Sequence, residues 1–302
     1  MKIIDAHHHF WDPTQNPHPW LTELPMIPFR YGDYSSLRNR PFLPTDYDSV
    51  AIGWDVVASV TMEGEWSSED PVGEAIWMQK LANKVGRPGA HVAQIWLDRD
   101  DLGAVLERYA DLSVVRSVRH KPRSNPHPGM GVGAMSEPKW QSGFRQLASS
   151  GLMFDLQTNW WHLSELKELR RISEDIPIII NHTGLPADRS VEGITGWRDA
   201  LQVAASLPNV FLKISGIGLA DRPWSLDDNR DIIRFAADTF GPERSMFASN
   251  FPVDGLCGSF DTIFSGYDLA TRDYSDAERE ALFYATAAKV YKLSPEHCKV
   301  TP

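Results

Sequence analysis

Eight short apolar runs recur along the chain, at residues 3–9, 56–63, 91–98, 115–120, 152–158, 178–183, 210–215 and 246–250. They are dense in Val, Ile, Leu and Phe, the pattern of strands buried on both faces. Between them apolar residues return at helical spacing, which predicts helices over 71–85, 102–110, 138–149, 163–173, 197–206, 228–240 and 276–291. Two of these carry start signals. Ser275 stands three residues before Glu278, a capping-box spacing, and Ser225 or Asp227 can cap the helix after the seventh strand. Eight strands, each followed by a helix, within 302 residues is the arithmetic of a (β/α)8 TIM barrel. A doubly wound open sheet is the alternative, but no G-x-G-x-x-G follows the first strand to support its dinucleotide-binding form. No internal repeat, low-complexity tract or linker interrupts the pattern, so the chain reads as one domain over 1–302.

Residues 10–55 depart from this rhythm. They are rich in Pro and aromatic residues and hold Trp11, Trp20, Arg30, Arg38 and Arg40. A connection this long in a compact domain is functional or disordered, and its aromatics argue against disorder. Two roles fit: a plug over one end of the barrel, or a lid that brings aromatic walls and Arg to a substrate pocket.

Composition narrows the classes. Thirty Lys and Arg against forty Asp and Glu leave a net charge of −10, which argues against general nucleic-acid binding but leaves room for a local basic pocket. No apolar run approaches the roughly 18 residues of a membrane span. The opening MKIIDAHHHFWD is too short in its apolar part for a signal-peptide core. Two cysteines, Cys257 and Cys298, are too few for a disulfide framework, so a reducing cytoplasm is the expected location. No local pattern supports Cys257 as a nucleophile.

In a barrel the active site gathers at the C-terminal strand ends. The first strand closes Asp5-Ala6-His7-His8-His9, and alternation sends His7 and His9 to one side and His8 to the other. Two imidazoles so spaced can grip a metal ion or a substrate oxygen; the bland role is structural. The sixth strand closes Asn181-His182-Thr183-Gly184, making His182 a third candidate, whose bland role is a buried histidine bonded to backbone. The fourth closes Arg119-His120, followed by Lys121 and Arg123, a cationic cluster suited to an anionic substrate or an oxyanion, unless it is a solvated patch. Gln157 or Asp155 closes the fifth, Lys213 and Ser215 the seventh and Glu63 the second, each a weak signal alone. Asn250 closes the eighth strand, with Asp254 four residues on.

Asp-Ala-His-x-His-Phe-Trp at the N-terminus, Val-Arg-His after the fourth strand, Asn-His-x-Gly-x-Pro after the sixth and Ser-Asn-Phe-Pro-Val near the eighth resemble the amidohydrolase superfamily. The similarity is greatest to its lactonase branch, which includes 2-pyrone-4,6-dicarboxylate lactonase and the fucono- and rhamnono-lactonases. The resemblance spans essentially the whole chain and implies a barrel that hydrolyses a cyclic ester. It places His7 and His9 on the family's first-strand pair, His182 on its sixth-strand histidine, and Arg119 or His120 near its fourth-strand polar group. Asn250 stands where many members carry Asp, the group that takes a proton from water. An amide has no comparable basicity, so the general base passes by hypothesis to Asp254, with Asn250 orienting water or substrate.

The expected activity is therefore opening of a carboxylated or sugar-acid lactone. His7, His9 and His182 polarise the carbonyl, and Asp254 with Asn250 activates water. Arg119, His120, Lys121, Gln157, Trp11 and Arg30 bind an anionic substrate. Three imidazoles suffice for one zinc ion, held by His7, His9 and His182, but metal-independent catalysis is the favoured form, since lactones are reactive esters. The main rival is a metal-dependent non-oxidative decarboxylase of an aromatic acid, which the aromatic lid would suit and the missing eighth-strand Asp opposes. A binding protein that lost its base is the third reading. A homodimer is expected by analogy with barrels of this size, with Trp224, read as exposed, a candidate interface residue.

Overall fold

The computed structural model of the protein describes residues 1–293. Eight parallel strands follow in chain order around one sheet: β1 (Lys2–His8), β2 (Asp55–Met62), β3 (Ala90–Gln94), β4 (Val115–His120), β5 (Met153–Leu156), β6 (Ile178–Ile180), β7 (Val210–Ile214) and β8 (Ser245–Phe247). The order never reverses, so the doubly wound alternative falls. The ring closes just beyond β8. There the Asn250 N–H donates to the His7 carbonyl at 2.7 Å and the His9 N–H to the Phe251 carbonyl at 2.7 Å. The architecture is the (β/α)8 barrel that the alternation predicts.

Two short helices, α1 (Pro19–Thr22) and α2 (Pro44–Val50), lie in the long first connection. The outer layer is α3 (Gly73–Val85), α4 (Leu102–Ala110), α5 (Pro138–Ser150), α6 (Leu166–Ile172), α7 (Val191–Ala205), α8 (Leu226–Phe240) and α9 (Phe260–Ala270). The last described helices are α10 (Asp276–Glu280) and α11 (Thr286–Val290), separated by a π turn over Ala281–Ala285 that divides the single helix expected there. The Ser275–Glu278 capping box is present, and Ser225 rather than Asp227 caps α8. α7 starts six residues earlier than its apolar spacing predicts, because Ser190 caps it by accepting from the Gly193 N–H at 3.0 Å. α9 is missing from the sequence reading altogether. Gly266 in its middle weakens the helical signal, yet that glycine makes room for a ring: a Cβ there would lie 2.1 Å from Trp224 Cη2. Trp224 is accordingly buried, not the exposed interface residue expected.

Strand alternation divides the core. Phe154, Ile180, Leu212 and Phe247 pack outward beneath the helices, while Ile4, Val60, Val92, Met153, Ile179 and Met246 fill the barrel. Inward positions further along the strands turn polar. Lys213 Nζ lies 2.8 Å from Asp155 Oδ1, and Asp155 also accepts from Asn181 Nδ2 at 2.8 Å and from the Tyr291 hydroxyl at 3.0 Å. This fully buried pair is compensated on every side, as buried charge must be.

The seam between β8 and β1 is tied by Asp5. Its carboxylate accepts from the Ser249 N–H at 2.8 Å, the Ser249 hydroxyl at 2.5 Å and the Tyr47 hydroxyl at 2.9 Å. Burial outweighs these bonds and pushes the Asp5 carboxyl up from 3.8 to about 6. Between those values the native state holds more protons than the unfolded chain, so this group's contribution to stability falls as pH rises through that window. The loss amounts to about 3 kcal/mol. Asp5→Asn keeps a polar group for the two hydroxyls and cannot ionise. Urea unfolding from pH 4 to pH 7 is expected to show a downward slope in the wild type that is flatter in Asp5→Asn; equal slopes would contradict this account.

Candidate active site

A register shift between Asp5 and His8 lets β1 send Ile4 and Ala6 into the barrel core and then His9 to the cavity wall, while His7, expected beside it there, is fully buried behind that wall. His8 points the other way, onto the rings of Tyr47 at 4.3 Å and Phe10 at 4.7 Å. The His7 ring lies 4.3 Å from that of His182 and 5.4 Å from that of His9, so the three imidazoles expected to meet do meet. β6 stops three residues short of its expected end because the chain enters left-handed backbone, with φ of 53° at His182, 58° at Thr183 and 59° at Leu185. That conformation is disfavoured, most of all for β-branched Thr, and strain of this kind collects at functional sites. It leaves His182 at the cavity wall, where Ser215 Oγ meets its Nδ1 at 3.1 Å. Gly216 packs against this arrangement: a Cβ there would lie 2.5 Å from His182 Nδ1 and 2.7 Å from Arg30 Nη2.

All three imidazoles are neutral at physiological pH. Burial lowers His7 and His182 well below the usual range, and the cations around them add to the shift; His9 falls to about 3 through burial and the Arg119 charge. Each therefore offers one N–H donor and one basic nitrogen. Both ring nitrogens of His7 and Nδ1 of His9 have no hydrogen-bond partner among the described residues.

Beside the trio, Arg119 is buried, with Nε donating to Glu63 Oε1 at 2.6 Å, Nη2 to the Glu63 carbonyl at 2.8 Å and Nη1 to Gln157 Oε1 at 3.2 Å. Lys121 pairs with Glu65 and reaches Glu63 Oε1 at 3.5 Å. Burial would raise the Glu63 carboxyl, but Arg119 and Lys121 outweigh it and hold it well below the carboxylate range. His120 is not in this group. The next position on β4 faces outward, where His120 Nδ1 accepts from Trp140 Nε1 at 3.0 Å. Arg123 also lies apart, paired at the surface with Glu137.

The first connection forms the remaining wall. Trp11 and Trp20 meet edge to face at 5.5 Å, and Phe29 stacks on Trp20 at 5.7 Å. The indoles are fixed by their N–H groups, Trp11 to the Arg40 carbonyl at 3.1 Å and Trp20 to the Gly64 carbonyl at 2.8 Å. Arg38 is spent on backbone carbonyls of Thr22 and Glu23, away from the cavity. Arg30 and Tyr31 instead reach Asp254, at 3.3 Å and 2.8 Å to Oδ1. The cavity, open to solvent on one side, measures ≈ 270 Å³ and is lined by Trp11, Arg30, Glu63, Arg119, His182 and Asn250, among others.

Asn250, with φ 54°, stands on the cavity wall and Asp254 behind it. Asn250 Nδ2 donates to Asp254 Oδ1 at 2.6 Å, while Asn250 Oδ1 has no hydrogen-bond partner among the described residues. Burial raises the Asp254 carboxyl above its ordinary value. The expected base thus reaches the cavity only through the amide. Burial, reinforced by Asp254, pushes the Cys257 thiol up to about 12, which opposes a nucleophilic role; Cys298 lies outside the described residues.

His7, His9 and His182 were candidate zinc ligands on sequence, and their unpartnered nitrogens are of the right type. The donor set does not fit. Among the described residues no three His, Cys, Asp or Glu are placed to hold one ion. The eighth-strand position offers an amide rather than a carboxylate, and Arg30 and Arg119 stand close enough to depress the imidazoles electrostatically.

A parallel barrel with histidines at the ends of β1 and β6 defines an amidohydrolase-type hydrolase. Residues 4–293 match the family model described as Amidohydrolase, and the chain belongs to that family. An uncharacterized Sinorhizobium fredii protein, y4mH, is 35% identical over 97% of this chain and 99% of its own. An L-fucono-1,5-lactonase of Burkholderia multivorans is 27% identical over 96% of both. A crystal structure of an amidohydrolase from Burkholderia multivorans, with bound zinc, is 26% identical over 97% of this chain and 100% of that one, with a TM-score of 0.79.

Proposed function

We propose that this hydrolase opens a neutral, polyhydroxylated lactone with water and does so without a metal ion. The observation that carries this reading is a charge-compensated cavity with two neutral imidazoles, His9 and His182, on its wall and His7 packed behind them. Arg30, Arg119 and Lys121 line it, and Asp254, Glu63 and Glu65 pair with them, three positive charges against three negative. The anionic substrate expected from the cationic strand end loses its support, because no cation in that set is uncompensated. Alternating donors and acceptors suit vicinal hydroxyls, each of which both gives and takes a hydrogen bond. Trp11 and Trp20 supply an apolar wall for the ring. The lactonase relative supports the same class of substrate.

The chemistry then assigns itself to groups on the wall. Imidazole N–H groups of His9 and His182 and the two Arg119 N–H groups left without a partner among the described residues polarise the ester carbonyl and receive the developing oxyanion, the largest rate term in acyl transfer, with His7 packed behind them. Water adds its oxygen to the carbonyl carbon and gives its proton to a basic imidazole nitrogen. The ring C–O bond breaks, and the ring oxygen takes that proton to become a hydroxyl. Asn250 Oδ1 orients the water, and Asp254 fixes Asn250.

Acid release from a panel of neutral aldonolactones is the test, with CO₂ release from hydroxybenzoates as the rival assay. Acid from the lactones, no CO₂, and activity unchanged after dialysis against a chelator are expected. Stoichiometric zinc whose removal abolishes turnover would overturn the metal-free reading. CO₂ without acid would overturn the lactone reading.

A further inference from the structure

Glu63 directly follows β2 at a position with little signal in the sequence, yet it organises one side of the cavity. It is 2% exposed. Its Oε1 takes Arg119 Nε at 2.6 Å and lies 3.5 Å from Lys121 Nζ, while its Oε2 takes the Glu65 N–H at 2.8 Å. Of the five guanidinium N–H groups of Arg119, two go to Glu63 and one to Gln157. Buried beside the reacting groups, one carboxylate thus cancels a guanidinium and helps cancel an ammonium. A substrate carboxylate entering here must either compete with Glu63 for Arg119 or sit beside it, and like charges in a poorly screened site repel strongly. A hydroxyl meets no such barrier.

We infer that Glu63 is a specificity-determining residue that excludes carboxylated lactones and reserves the site for uncharged ones. This rests on the lactone reading and names the group that sets the substrate's charge. The Glu63 carboxylate acts as fixed counter-charge in the same place that a substrate anion would occupy. Replacing it by an amide of the same shape frees one positive charge on the cavity wall.

The experiment uses two ligands with the same ring: an aldonolactam, and its counterpart in which the terminal CH₂OH is a carboxylate. Binding to the full-length wild type, Glu63→Gln and Lys121→Gln is read by titration calorimetry, and turnover is read separately on the two corresponding lactones. The wild type is expected to prefer the neutral lactam. Glu63→Gln is expected to shift the affinity ratio by about tenfold toward the carboxylated one. Lys121→Gln, which leaves one negative charge in excess on the cavity wall, is expected to shift it about threefold the other way, less because Lys121 is part-exposed and screened. An unmoved ratio in a folded Glu63→Gln, with both ligands weakened alike, would show that Glu63 only supports Arg119 and would overturn the inference. If Glu63→Gln does not fold, Lys121→Gln decides: a lowered ratio sustains the inference and an unmoved one sinks it. A charge shift in lactam binding without lactone turnover would remove the proposed reaction and leave the charge selection standing; turnover without a charge shift would do the reverse.

Discussion

His182→Asn is expected to lower kcat by about 10²–10³-fold, the scale of losing a donor to a developing oxyanion, with little change in thermal stability. The separation of the two effects follows from the backbone. Position 182 has a φ of 53°, a conformation that Asn adopts more readily than most residues, so the substitution adds no strain. The Asn side chain can still meet Ser215 Oγ, which now bonds His182 Nδ1 at 3.1 Å. It cannot supply an imidazole to the trio. Steady-state kinetics on a neutral lactone, with a melting curve alongside, checks both halves. Full turnover by a normally folded His182→Asn would remove the imidazole cluster from the chemistry.

Asp254→Asn is expected to lower kcat about 10²-fold, the cost of a small misplacement at a reacting group, while KM for a neutral lactone moves less. Asp254 Oδ1 gathers three donors: Asn250 Nδ2, the Tyr31 hydroxyl and Arg30 Nη2. An amide here either turns its own NH₂ toward those donors or keeps its oxygen and loses the charge. Either way Asn250 is no longer held, and Arg30 gains an uncompensated charge on the cavity wall. Tyr31→Phe removes one of the three donors and should cost only a few-fold, because the stronger bond to Asn250 remains. Unchanged turnover in Asp254→Asn would sever the lid and the eighth-strand loop from catalysis.

Much of this site was legible in the chain. The spacing of His7 and His9 on a strand, and of His182 at the end of another, needs only the period of a β-strand and the rule that barrel chemistry sits at the strand ends. Arg119 was legible on the same grounds, but His120 was not separable from it, because deciding which of two neighbours faces inward takes the register that only the assembled barrel provides. Charge pairing was harder to read. Arg119 and Lys121 look like part of a basic cluster because their partners are far off in sequence: Glu63 is 56 residues from Arg119, and Glu65 is 56 from Lys121. Tyr31 and Gly216 carried no local motif at all, and Ser215 only the weak signal of closing the seventh strand. Gly216 becomes informative only once His182 and Arg30 are seen to crowd it.

The seam tied by Asp5 joins residues 244 positions apart, and His9 on one side of it and Asn250 on the other both stand on the wall of the candidate site. One half of that wall is synthesised first and the other nearly last. A polypeptide shortened before β8 lacks Asn250, the Asp254 that holds it and the bonds that close the ring on β1, so one wall of the candidate site depends on the first staves meeting the last.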